Sequence, residues 1–367
     1  MLKLRNERQY GIEIIRVLSM GMVIGLHFFL NCSIPYLNNF SMNFCITWIG
    51  EAICYVSVDL FVLISGYFGV RSRSTNYRRI FSLMVITWFY SYLFLIIFAL
   101  FIKSVSFKEF NISIFPLING HYWFVTVYIM LMLFQSLLNK FYDFIISKKQ
   151  YKWIILLVVL FCIIPTFFPL ADANLKIVGG TNFLWFITLY IVGGIIYTFE
   201  KHIDRIFIKI KIICLIFAII IPIVVKISIM YFWGRNAGGA MFYHHNSAFI
   251  FIASIMLFLL LKNLKLEKIF INRILVEISS STFGIYLIHE NIFVKKIIWE
   301  YIKKMQDLTS NFWSIFMIFW IVCIYIICFL IDYTRRKVFL YLNIENKVYS
   351  IIYKMYNYLR RKKYEGI

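Results

Sequence analysis

The sequence predicts an all-α polytopic membrane protein, a bundle of about ten transmembrane helices with both termini cytoplasmic. Three observations carry that reading. Of 367 residues, 62% are hydrophobic and only 15% are charged, too little polar surface to cover so apolar a chain in water. Apolar runs of about 20 residues, the length that crosses a bilayer as helix, recur from end to end. The net charge of +21 falls almost wholly between alternate runs, as the positive-inside rule requires. Disorder, a disulfide scaffold and a cytosolic enzyme are excluded on the same grounds.

The runs lie near residues 12–31, 46–70, 79–102, 121–139 and 152–170, then 182–199, 208–231, 244–262, 280–299 and 311–333. The first is followed by no small-residue cleavage site and is too long for a signal-peptide core, so it is expected to be retained as a helix. The seventh is interrupted by Pro222 and Lys226, which is tolerable where neighbouring helices satisfy the freed carbonyl. No Gly/Pro/Ser-rich linker divides the runs, so residues 1–333 read as one membrane domain. Residues 334–367 read as a basic amphipathic cytoplasmic tail, in which Val348, Ile351, Ile352, Met355 and Leu359 recur at helical spacing and anionic headgroups attract the charge.

Sorting the loops alternately places 28 of the 38 Lys and Arg residues on the side of the termini and nine on the other, with Arg16 left inside a span. This asymmetry assigns both termini to the cytoplasm of a plasma membrane. It also excludes nucleic acid as a partner, because the basic residues are spread over every inner loop rather than gathered into one patch. Of the seven cysteines, only Cys32 and Cys45 bracket an outer loop, where a disulfide is an open possibility. No CxxC, HExxH or His/Cys cluster is present, so no metal site is expected.

An ionisable side chain inside a span is costly and marks a functional candidate. Glu13, Arg16 and His27 all fall in the first run. Eleven residues at 100° each bring His27 to within about 20° of Arg16, and about 16 Å further along the helix. Glu13, three residues before Arg16, shares that face. The bland alternatives are that Glu13 and Arg16 snorkel to the interface and that His27 is simply hydrogen-bonded in the core. The sharper reading is a cation near the cytoplasm and an imidazole placed for proton transfer in the outer half. Asp59, in the second run, is expected to meet Arg16, His27 or a hydroxyl. Thr282, Tyr286 and His289 share one face of the ninth run, and Trp123 is either an interfacial anchor or a sugar platform. His244, His245 and Asn246 read as an exposed outer loop.

These residues reach a family resemblance. The Arg-x10-His spacing from Arg16 to His27 resembles the opening signature of the acyltransferase-3 family of integral-membrane acyltransferases. Val58–Tyr67 (VDLFVLISGY), Tyr77–Ile80 (YRRI), Tyr122–Phe124 within HYWF, and Ser281–His289 (STFGIYLIH) resemble its later motifs in order. The resemblance implies transfer of an acyl group, acetyl or succinyl, from cytoplasmic acyl-CoA to a hydroxyl of an extracytoplasmic cell-surface polysaccharide, with no bound cofactor. It implies His27 as general base or transient acyl carrier, with Arg16, held by Glu13, orienting the donor or stabilising negative charge. Arg71, Arg73, Arg78 and Arg79 are candidates for CoA phosphates, because guanidinium forks match phosphate geometry, although topology alone also demands basic residues there. Asp59, Trp123, Tyr286 and His289 are candidates to line the cavity.

The competing class is a transporter or flippase of a glycan intermediate. It is disfavoured because no second copy of the Arg-x10-His helix or of VDLFVLISG appears. Some relatives carry a soluble hydrolase-like domain after the bundle. Here transfer is expected to be completed within the membrane domain or handed to a separate partner. The Ile, Lys, Asn, Phe and Tyr richness suits a low-GC bacterium.

Overall fold

A computed structural model describes residues 9–33, 40–72, 74–101, 105–168, 179–234, 242–266 and 268–350. Among these the chain is helical with no strand. Five helices are long and apolar enough to cross a membrane: Tyr10–Cys32, Met42–Gly69, Tyr77–Phe101, Ile208–Trp233 and Trp313–Tyr341. A sixth crossing forms if the pair Trp123–Leu133 and Gln135–Ser147, bent by 62°, is one span.

The ten runs therefore do not become ten full-length helices. The runs near 152–170, 182–199 and 244–262 give shorter apolar helices, Lys152–Phe167, Phe183–Thr198 and Ala248–Leu261. The run 280–299 is broken outright into α15 (Thr282–His289) and α16 (Ile292–Met305). The cause is Asn291, whose extended backbone and side-chain oxygen, accepting from the Phe293 N–H, start a new helix, as an N-cap does. Pro222, by contrast, sits within the unbroken helix Ile208–Trp233.

The first helix, α1 (Tyr10–Phe28), is the hub. It packs against α2 (Met42–Cys54), α3 (Val56–Gly69), α13 (Ala248–Leu261), α14 (Ile269–Ser280), α15 and α17 (Trp313–Tyr341). Only a helix enclosed on several sides can hold a polar stripe out of lipid. Small residues allow the close approaches. A Cβ on Gly66 of α3 would meet the Tyr190 carbonyl oxygen at 2.1 Å, and one on Gly11 of α1 would meet the Leu261 carbonyl oxygen at 2.3 Å.

Two ion-pair networks lie away from α1. Lys262 is buried and holds Glu200 at 2.6 Å and Asp204 at 2.9 Å, while Tyr67 donates to Glu200, so this network ties the ends of α3 and α13 to the loop after Phe183–Thr198. In α17, buried Asp332 accepts from Tyr90 at 2.8 Å and from Arg335 at 2.7 Å. Helix α17 runs without a break past residue 333, to Tyr341. The tail is helical at 344–350, and its remainder, 351–367, lies outside the described residues. Cys32 and Cys45 are both free thiols; Cys32 is buried against the Trp299 carbonyl.

Candidate active site

A cavity of about 540 Å³ runs beside α1 and is lined by its residues from Glu13 to Leu30. The seventeen residue steps from Glu13 to Leu30 amount to about 26 Å of helix. At the end where α1 begins, Arg16 is joined in the lining by Arg79, Ser280 and Thr282; at the other, His27 is joined by Tyr55, Trp123, Thr181 and His244. Arg16 donates to Glu13 at 2.9 Å, a pair that fixes the guanidinium along the helix.

His27 is set by groups from far along the chain. Its Nδ1 lies 3.0 Å from His289 Nε2 and 3.3 Å from Glu290 Oε1. The other nitrogen of His289, Nδ1, lies 2.7 Å from the Ile285 carbonyl oxygen, which can only accept, so that Nδ1 carries the hydrogen. Neutral His289 is left with an acceptor at Nε2. The hydrogen between the rings then belongs to His27 Nδ1, and the basic lone pair of His27 is at Nε2. Glu290 is oriented in turn by Lys295, 3.6 Å away. Two local features aim this cluster. A π-turn, Phe29–Ser33, follows His27, whose carbonyl accepts from Asn31 at 2.7 Å. Tyr122 donates to the Leu287 carbonyl and accepts from Asn291, pinning the break after α15.

The ligand atoms of His27, His289 and Glu290 lie within 4.8 Å of one another, a spacing that can hold a cation. The hydrogen-bond assignment accounts for all three side chains, and the Lys295 ammonium already neutralises Glu290.

The other expected residues separate. Trp123 and Tyr286 line the cavity, and His289 reaches it through His27. Asp59 does not line it: it is fully buried and accepts from Trp185 at 3.1 Å and Ser254 at 3.3 Å, so of its expected partners only the hydroxyl is realised. Arg79 lines the cavity. Arg71 instead stacks on Tyr197, its guanidinium carbon 3.7 Å from the ring centre, Arg78 turns into a second cavity, and Arg73 lies outside the described residues. His245 and Asn246 are buried rather than exposed, with His245 donating to the Tyr55 carbonyl at 2.9 Å and Asn246 donating to the Phe161 carbonyl at 2.9 Å. Glu290 was not singled out from the sequence. Its one signal is its place beside His289 at the end of STFGIYLIH.

The family model for the acyltransferase domain of acyltransferase-3 proteins matches residues 9–333. The chain belongs to the acyltransferase-3 family. Neither the curated proteins nor the solved structures give a match. Among the described residues, the cavity wall includes His27, and the cluster that His27 forms with His289 and Glu290 joins α1, α15 and the turn after it.

Proposed function

We propose that the protein is an O-acyltransferase of the plasma membrane, carrying an acyl group, in the simplest case acetyl, from cytoplasmic acyl-CoA to a hydroxyl of a cell-surface polysaccharide. The observation that carries this reading is the cavity along α1, with Arg16 and Arg79 at one end and His27, in its cluster with His289 and Glu290, towards the other. With the termini cytoplasmic, the donor enters at the arginine end and the acceptor at the end lined by Trp123 and His244.

His27 Nε2 takes the proton of the acceptor hydroxyl as its oxygen attacks the thioester carbonyl. The new C–O bond forms and the C–S bond breaks. The proton passes from His27 to the departing CoA sulfur, so the enzyme ends as it began. His289 and Glu290 hold the ring and support the transient imidazolium, as the acid partner of a catalytic histidine does. About 16 Å of helix separates Arg16 from His27, too far for Arg16 to touch an oxyanion formed beside His27. Its role is therefore to grip the polar part of the donor, whose long pantetheine arm carries the thioester up the cavity.

Surface polysaccharide from cells making the wild type and His27→Ala, compared by mass spectrometry, tests the proposal. The variant should lower acylation at least about 10²-fold at unchanged membrane level. Retained acylation would refute the role of His27, and loss of the whole polymer would favour an exporter.

A further inference from the structure

Arg78 and Arg79 are neighbours at the start of α4 (Tyr77–Phe101), yet they face different spaces. Arg79 lines the main cavity, whereas Arg78 lines a second cavity of about 320 Å³ together with Arg335 and Arg336. Each of these three guanidiniums is held. Arg78 donates to Asn346. Arg335 is nine-tenths buried and paired with Asp332 at 2.7 Å. Arg336 donates to the Glu277 carbonyl at 2.9 Å and to the Ser281 hydroxyl at 3.1 Å, and pairs with the Glu277 carboxylate. Asp332 and Glu277 fix their arginines without lining the cavity; Glu345 is the acidic residue that does line it. Three preset guanidinium forks around one concavity are a phosphate-binding chemistry.

The two cavities share a partition. Ser279, Ser280 and Thr282 line the main cavity, and Ser281, between them, holds Arg336 of the second. The α4 start divides in the same way at Arg78 and Arg79. A ligand with two phosphate groups a short way apart would engage both sides at once.

We propose that the second cavity binds the 3′-phosphate of the acyl-CoA donor through Arg78, Arg335 and Arg336, while Arg79 meets the donor's pyrophosphate on the main-cavity side. This rests on the acyl-CoA reading above. The donor is then recognised at both ends of its ribose, and the enzyme discriminates against a donor lacking the terminal phosphate.

Calorimetry of the purified full chain in phosphatidylcholine nanodiscs, with acetyl-CoA and 3′-dephospho-acetyl-CoA as probes, needs no acceptor. The wild type should bind acetyl-CoA about tenfold or more tightly than its dephospho form, the worth of a charged hydrogen bond. Arg78→Gln and Arg336→Gln should erase most of that preference by weakening acetyl-CoA alone. Glu345→Gln, which removes the opposing charge, should widen it; this opposite sign keeps the test decisive if an arginine variant folds poorly. Equal binding of both probes by the wild type, or a preference unchanged in the variants, overturns the proposal and leaves the acyl-CoA reading standing. Binding of neither probe overturns both. If the arginine variants lose bound phosphatidylglycerol in mixed nanodiscs while donor preference is unchanged, the cavity is a lipid-headgroup site and the donor assignment is wrong.

Discussion

Glu290 holds no place in any helix, yet its carboxylate stands 3.3 Å from the nitrogen that sets the tautomer of His27. Replacing it by Gln keeps an acceptor oxygen and removes the charge that supports an imidazolium. Glu290→Gln should therefore lower kcat by about 10- to 10²-fold and leave the donor KM unchanged, because the lost interaction belongs to the transition state. Rates measured at varied acyl-CoA separate the two parameters, and a rise confined to KM would remove Glu290 from the chemistry. The contrast with Glu13 and Arg16 shows what a sequence exposes at this scale. Those two lie with His27 on one helix, where a period of 3.6 residues places side chains without any knowledge of the fold. Glu290 is joined to His27 only by the packing of α15 on α1, across 263 positions. Asp59 fails in the opposite direction: its burial inside a span was legible, but the Trp185 and Ser254 donors that satisfy it were not.

At the scale of elements, α15 is held against α17 by an absent side chain. A Cβ at Gly284 would meet Asp332 Oδ1 at 1.8 Å, and Asp332 is itself locked by Tyr90 and Arg335. Gly284→Ala should cost about 1–3 kcal/mol or more as overpacking. It should lower the thermal midpoint in detergent and also lower activity, because α15 carries His289. An unchanged midpoint would mean that α15 can slide on α17 without cost. Hydropathy made the long helices legible, since 20 apolar residues announce themselves. It could not show that the run 280–299 breaks, because one capping Asn in a polar turn decides that, and the apolar residues on either side read as continuous.

For the molecule as a whole, the Lys262 network ties together segments that begin and end in different loops. Burial opposes the charge on Asp204, but hydrogen bonds from Lys262 and Asn263 and the Lys262 charge outweigh it and hold the carboxyl below its usual value. A depressed carboxyl stabilises the fold above its ordinary pKa, and that contribution is lost as pH falls through the depressed value. The thermal midpoint of the wild type should therefore fall more steeply below about pH 4 than that of Asp204→Asn. Parallel curves would show that the network contributes nothing.

The cavity beside α1 also has a middle. Between Arg16 and His27 its wall on that helix is Met20, Val23 and Leu26, with no ionisable group. A passage serving both faces of a membrane threatens the voltage and proton gradients that the cell maintains there. On the function proposed above, this apolar stretch of α1 would let a slender acyl-bearing arm pass while offering ions no charged stepping-stone along that helix, so that acyl transfer through the bundle need not discharge the membrane.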